Sequence, residues 1–273
     1  MQKLSVFITT LNNELTLQAC LESVKWADEI VVLDSFSSDR TLEIARTYDC
    51  TLAQHEFLGY GPQKQKAMEM TSHDWVLLLD ADEQLSVELQ AEIQQLLADE
   101  PGVDGFEIPR QEQLFWKMCS PRVRLNHYLR LFRKSRGHVS DMPVHAAPKV
   151  QGRTARLKNV FYHFGERSIH IKVDKINGYS TGLVEDKVSK GKKVYPWIRL
   201  IFYPPFVFLR SYLFKRNFIN GWAGFITSVT MAFYAFLKYA KLYEHHQVEK
   251  YGNSLLPPGA PPLRPGNEKA SGS

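Results

Sequence analysis

Three short apolar runs in the first hundred residues each break off into a polar cluster, and this pattern constrains the fold more than any other feature of the chain. Residues 4–9 (LSVFIT) and 29–33 (EIVVL) are β-branched and bounded by polar residues, which reads as strand. Residues 75–79 (WVLLL) are apolar without a break, as expected of a strand covered on both faces. Between the first two runs Leu17, Cys20, Leu21 and Val24 fall at i, i+3, i+4 and i+7, the stripe of an amphipathic helix. After Asp34, Ser38 or Asp39 can cap a helix carrying Leu42 and Ala45. Leu85 and Ser86 form a staple and cap for a helix with Leu89, Ile93, Leu96 and Leu97 on one face. Strand and helix alternating in this way predict an α/β fold: a mostly parallel central sheet with right-handed crossovers and flanking helices.

The chain of 273 residues (31.4 kDa) is long enough for one large domain, or a domain with an appendage. Cys20, Cys50 and Cys119 are odd in number, scattered and without CxxC spacing, which excludes a disulfide framework and points to a reducing compartment. The start, MQKLSVFITTLNNE, is not that of a signal peptide, so the expectation is a protein on the cytosolic side. Residues 1–100 form one segment and residues 101–186, with weaker strand patterns, a second. Residues 251–273, rich in Pro, Gly and Ser, are expected to be disordered.

Residues 187–250 differ in kind. From 187 to 243 lie ten of the 34 Lys and Arg residues and none of the 29 Asp and Glu, so the rest of the chain carries 24 basic against 29 acidic residues. Between Tyr195 and Tyr243 lie 16 of the 33 aromatic residues. Cations bracketing runs such as WIRLIFYPPFVFLRSYLF fit an anionic membrane surface better than nucleic acid. Residues 217–237 carry no charge over 21 positions, yet their Asn, Gly, Ser and Thr content predicts an interfacial or re-entrant helix pair rather than a crossing.

In open α/β sheets ligands sit beyond the carboxyl ends of the strands. The first strand ends in Thr9-Thr10-Leu11-Asn12-Asn13-Glu14, the second in Asp34, the third in Asp80-Ala81-Asp82-Glu83. Neither GxGxxG nor GxxxxGK[ST] occurs, so a Rossmann dinucleotide site and a P-loop are both unsupported. Asp80 and Asp82 flank a small residue just past a buried strand and present hard oxygen ligands for Mg²⁺ or Mn²⁺, which can bridge a diphosphate. The competing reading, that they merely start the next helix, is disfavoured by their place at a sheet end that also holds Asp34.

Taken in order, SVFITTLNNE, EIVVLDSFSSDRT and WVLLLDADE resemble the family 2 glycosyltransferases of the GT-A fold. Further on, RLFRK, DMPVHA, the YHF histidine, FINGWAGF and an aromatic helix ending in LKYAKLYE are similar to the β-glycosyltransferases of the lipopolysaccharide inner core. The resemblance spans about residues 3–245, rests on the ordered co-occurrence of these motifs, and implies that residues 1–100 are a nucleotide-sugar-binding half and 101–186 an acceptor-binding half. It implies that Thr9, Leu11, Asn12 and Glu14 line the base and ribose site of a UDP-sugar and that Asp34 accepts from the uracil. Lys66 would approach the diphosphate, as against a solvated helix face. Asp80 would contact ribose or sugar and Asp82 would bind the metal, with His163 or His145 as a further metal or phosphate contact. Catalysis with inversion needs a carboxylate base. Among Glu107, Glu112 and Asp141, Asp141 is favoured and Glu112 is the reserve, because related enzymes read VHE where this chain has Val144-His145-Ala146. The implied activity is metal-dependent transfer of a hexose, glucose from UDP-glucose, to a lipid-anchored core saccharide. It would take place on the cytoplasmic face of the bacterial inner membrane, with the protein peripheral or monotopic. The alternatives are a polyprenyl-phosphate glycosyltransferase or an inactive nucleotide-sugar-binding protein.

Overall fold

The three apolar runs become adjacent strands. The computed structural model describes residues 2–140, 147–189 and 196–261. The chain divides into two compact units, Met1–Gln113 with Leu125–Glu166, and Leu114–Arg124 with Arg167–Ser273.

In the first unit the chain runs β1 (Leu4–Thr10), α1 (Leu17–Glu22), β2 (Glu29–Asp34), α2 (Thr41–Ala45), β3 (Thr51–Gln54), α3 (Tyr60–Glu69) and β4 (Trp75–Asp80). It continues through β5 (Glu83–Leu85), α4 (Val87–Ala98) and β6 (Gly105–Leu114). After the short β7 (Lys117–Met118), which belongs to the second unit, come β8 (Asn126–Arg133), β9 (Gly137–Val139), β10 (Pro148–Val150), β11 (Thr154–Arg156) and β12 (Phe161–His163). The main sheet has the order β3-β2-β1-β4-β8-β6-β12-β5.

Side chains alternate across this sheet, and both faces are covered. Val6, Ile8, Val32, Leu77 and Leu79 pack with Leu17 and Leu21 of α1, Ala45 of α2 and Leu89, Ile93 and Leu97 of α4. Their neighbours Phe7, Val31, Leu33, Val76 and Leu78 pack on the other face with Ala67 and Met68 of α3. Two-sided burial is why these strands read as unbroken apolar runs rather than as an alternation. Ser86 caps α4 as expected, its hydroxyl accepting from the Leu89 N–H at 3.1 Å.

The expected parallel sheet holds from β3 to β4. Beyond it the sheet is mixed: β8 runs antiparallel to both β4 and β6, while β12 is parallel to β6 and antiparallel to β5. No helix separates β6 from β8, and without a helical crossover two neighbouring strands pair antiparallel. The chain builds outward from β1 to β3 and then returns to the other side of β1 as β4. This creates a switch point where Thr10, Asp34 and Asp80 end neighbouring strands.

The second unit contains α5 (Ile169–Ser189), α6 (Pro196–Leu209) and α7 (Trp222–Tyr251), with a single π turn at Arg210–Phe214 and a 3-10 turn at Asn217–Asn220. Residues 217–237 thus form one turn and the first half of a single 30-residue helix, not the helix pair expected. Among the described residues no helix is long and apolar enough to cross a membrane. Of the tail expected to be disordered, residues 252–261 hold no helix or strand and residues 262–273 lie outside the described residues.

Candidate active site

Two loops meet beyond the ends of β1 and β2. Asn12 takes a left-handed backbone (φ 53°), a conformation Asn tolerates better than most residues. Its N–H donates to the Ser37 hydroxyl at 2.8 Å, and its Oδ1 accepts from the Ser38 N–H at 2.8 Å. Glu14 accepts from the Arg40 N–H, and its own N–H donates to Asp39, both at 3.1 Å. Asn12 and Glu14 therefore hold the two loops together. Thr9 is half-buried at the strand end, while Leu11 is 48% exposed. Asp39 also accepts from the Thr41 N–H at 3.0 Å, although the N-cap position of α2 is Arg40, one residue later.

Asp34 is fully buried, and among the described residues it forms no salt bridge. Its carboxylate accepts from the Ser37 N–H at 2.9 Å, from the Ser37 hydroxyl, and from Gln54 Nε2 at 3.0 Å. Ser37 and Gln54 are site residues that motif reasoning missed.

The end of β4 is organised differently. Eight side chains form an alternating line of charge. Lys64 Nζ lies 2.5 Å from Asp80 Oδ1, and Asp80 Oδ2 lies 3.3 Å from Arg130. Arg130 reaches Glu83 at 2.5 Å, and Glu83 stands 3.7 Å from Arg110. Arg110 pairs with Glu112 at 2.7 Å, Glu112 with His163 Nδ1 at 2.6 Å, and His163 Nε2 stands 3.4 Å from Asp82. The Arg110 guanidinium also lies over the Tyr128 ring, 4.1 Å from its centre.

These neighbours fix the protonation states. Burial would raise the Asp80 carboxyl, but Lys64 and Arg130 outweigh it and hold it well below the usual carboxylate range. Burial is also the largest single influence on Glu83 and lifts it, against the pull of Arg130, with the Asp80 charge adding to the rise. On Glu112 the same penalty is overcome by the His163 hydrogen bond and by Arg110, which bring it down to about 2. Burial opposes charge on His163 too, yet hydrogen bonds to Asp82 and Glu112 push it up to about 10. Without a metal these contacts favour the imidazolium form of His163, and binding a metal through Nε2 would require that nitrogen to give up its proton while Nδ1 keeps its bond to Glu112.

The structure brings Asp80, Asp82, Glu112 and His163 together and adds Lys64, Arg110, Arg130 and Glu83. Lys64, rather than Lys66, reaches the carboxylates. It lies at i with Ala67 and Met68 at i+3 and i+4, on the face of α3 that packs against the sheet. Lys66 is half-buried two positions further on. Glu112 has its oxygens engaged by Arg110 and His163, which suits a carboxylate that orients its neighbours better than one poised to take a proton. Glu107 pairs with Arg156 at 2.8 Å. Asp141, His145 and Ala146 lie outside the described residues.

Among the described residues no group of three or more His, Cys, Asp or Glu is placed to hold a metal ion. Asp82 and His163 nevertheless fit a site completed by substrate, since Mg²⁺ is commonly held by one or two carboxylates plus phosphate oxygens. Gly165 keeps the flank of the pair open, because a Cβ there would lie 2.6 Å from His163 Nε2 and 3.0 Å from Asp82 Oδ2.

An acidic switch point on a half-parallel, half-mixed sheet defines an α/β enzyme of the GT-A type. The profile of Glycosyl transferase family 2 matches residues 5–147. The lipopolysaccharide core biosynthesis glycosyltransferase LpsC of Rhizobium meliloti (strain 1021) is 33% identical over 258 residues, covering 92% of this chain and 95% of LpsC. The uncharacterized glycosyltransferase RT0209 of Rickettsia typhi is 34% identical, covering 89% of this chain and 88% of its own length. Among solved structures, the mannosyltransferase PcManGT of Pyrobaculum calidifontis, in complex with GDP-Man and Mn²⁺, shares the fold with a TM-score of 0.52 at 14% identity, over 89% of this chain and 87% of that one. The chain belongs to glycosyl transferase family 2 and is a glycosyltransferase.

Proposed function

We propose that this glycosyltransferase is a metal-dependent, inverting enzyme that moves a hexose, glucose from UDP-glucose, to a lipid-anchored core saccharide of lipopolysaccharide. The reaction is placed at the cytoplasmic face of the bacterial inner membrane. The observation that carries the reading is the pairing of Asp82 with His163 at the switch point, at the end of a line of charge that ties both to the sheet. The likeness to LpsC along nearly the whole chain supports the acceptor class, and the Mn²⁺ in PcManGT supports the metal.

Asp82 and His163 would hold Mg²⁺ or Mn²⁺, which when bound supplies positive charge against the departing diphosphate. The protein's own groups do the rest. Glu112 orients the imidazole through Nδ1, in the carboxylate–histidine arrangement common around metal sites, and Arg110 fixes Glu112 in turn. Lys64 and Arg130 keep Asp80 ionised beside the sugar. The loop pair tied by Asn12, Glu14 and Ser37 shapes the nucleoside side of the site. Asp141 is assigned as the base that takes the acceptor proton.

The test uses purified protein with UDP-glucose and GDP-mannose, with and without Mn²⁺, offered lipid-core saccharide or polyprenyl phosphate. Mn²⁺-dependent transfer from UDP-glucose to the core acceptor, with a β linkage by NMR, is the expected result. Preference for polyprenyl phosphate would replace the acceptor. UDP binding without turnover would leave a nucleotide-sugar-binding protein.

A further inference from the structure

The helices of the second unit are packed the wrong way round for water. Where α6, the following turns and the first half of α7 meet, the interior is small and hydroxylated: Ser211, Asn220, Ala223, Thr227, Ser228 and Thr230 are buried, while Val184, Tyr239 and Leu242 form an apolar cluster between α5 and α7. Several of these polar groups are satisfied within the unit. The Ser211 and Ser228 hydroxyls meet at 3.0 Å, Asn217 donates to Ser211 at 3.1 Å, and Ser228 returns to the Gly224 carbonyl at 2.8 Å. Gly224 lets the α7 backbone approach the preceding turn, since a Cβ there would lie 1.9 Å from the Asn217 carbonyl oxygen.

The outside is aromatic and aliphatic. On α6, Ile198, Ile201, Phe202, Phe206 and Leu209 are exposed at three- and four-residue spacing, a continuous stripe. On α7, Trp222, Phe225, Val229, Phe233 and Phe236 repeat the pattern, with Trp222 76% and Phe202 68% exposed. Soluble proteins rarely leave an apolar surface of this extent uncovered. Small residues and hydroxyls between helices, with large apolar groups outside, is the packing of helices whose surroundings are lipid.

The charges identify the occupant. Residues 187–243 hold ten cations and no acid, which suits an anionic headgroup layer. A second copy seated on this face would bring like charges together, which costs binding. Helix α6, with 14 residues, is about 21 Å long, too short to cross a hydrocarbon core. We propose that the exposed faces of α6 and α7 are a monotopic insertion surface, seated among the headgroups and upper acyl chains of one anionic leaflet. The inference rests on the proposed function for its membrane location and is independent of the sugar chemistry.

The test floats the full chain with phosphatidylcholine–phosphatidylglycerol vesicles and with phosphatidylcholine vesicles. The protein is expected to float with the anionic vesicles, and high salt is expected to release only part of it. The variant Phe202→Gln/Phe206→Gln/Phe233→Gln should lose roughly tenfold in the salt-resistant partition for each side chain, with UDP binding unchanged. These positions are exposed, so folding is not at stake. A nitroxide at Phe202→Cys or Phe233→Cys, in a Cys50→Ser background, should become more accessible to oxygen and less accessible to an aqueous relaxant when vesicles are added. A label at Glu100→Cys should not change. Complete release by salt, or wild-type flotation of the triple variant, would overturn the proposal. A lipid-free dimer that shields both labels would assign the face to a second copy instead. Loss of transferase activity with flotation intact would count against the proposed function and leave this inference standing.

Discussion

Removing one member of the line from Lys64 to Asp82 takes a counter-charge from each neighbour. Arg130 shows this best, because it is the close partner of Glu83, whose side chain is wholly buried. Arg130→Met should destabilise the first unit by about 3–5 kcal/mol, the usual cost of breaking a buried ion pair from one side. Adding Glu83→Gln should recover part of that, and denaturant midpoints measure both. A loss under about 1 kcal/mol would mean that water reaches Glu83. Asp82 lies at the other end and is partly exposed. Asp82→Ala should therefore abolish transfer and Mn²⁺-dependent UDP binding while costing less stability than Arg130→Met, since Glu112 still faces His163; wild-type turnover would remove the metal assignment. The same contacts set a pH profile for the chelator-treated protein. His163 is raised from 6.5 to about 10, so its contribution is complete below pH 6.5 and lost as pH rises through about 10. Glu112 is lowered from 4.5 to about 2, so its contribution is complete above pH 4.5 and lost as pH falls through about 2. Both act fully between pH 4.5 and 6.5, and His163→Gln should remove the alkaline decline. An unchanged alkaline limb in that variant would show that His163 is not the titrating group.

At the scale of elements, close approach of backbones decides more than side-chain size. The turn before α7 is closed by Gly224 against the Asn217 carbonyl, so Gly224→Ala should cost about 1–3 kcal/mol through overpacking that rotamer changes cannot relieve. Circular dichroism melts of the helical signal would check it, and an unaffected melt would mean the turn can open. The elements legible in the sequence are those whose burial leaves a periodic trace. β1, β2 and β4 show it because helices cover both sheet faces, and α1 and α4 show it because one stripe of each is buried. β6 hides its role, since Arg110 and Glu112 interrupt its apolar pattern and the strand shifts register between Phe106 and Glu107. Asp80 and Asp82 stand out at a strand end, but their partners do not, because a buried cation and a surface cation look alike in a sequence. Arg130, set between Leu129 and Leu131 in a strand, carried one signal. Lys64 carried another in its helical spacing to Ala67 and Met68, which the choice of Lys66 passed over.

The molecule as a whole holds two cores of different composition. The first unit is built on large aliphatic and aromatic side chains around a sheet. In the second, the buried groups between helices are mainly small or hydroxylated, with a cluster of Val184, Tyr239 and Leu242 linking α5 and α7. Each core should respond to its own ligand. The proposed nucleotide and metal contacts lie in the first unit, and the proposed lipid contacts lie in the second. Binding stabilises only what it touches, by RT ln(1 + [L]/Kd), about 2.7 kcal/mol at a hundredfold excess over Kd. Calorimetry of the full chain should therefore show two transitions. UDP with Mn²⁺ should raise the one assigned to the first unit by roughly 5–10 °C and leave the other in place. Phosphatidylglycerol-containing vesicles should raise the second and leave the first. Arg130→Met identifies the first transition by lowering it, and Gly224→Ala identifies the second in the same way. A single transition moved by both ligands would show that the units unfold as one. In that case lipid contact would stabilise the donor site, and the membrane would act on catalysis as well as on location.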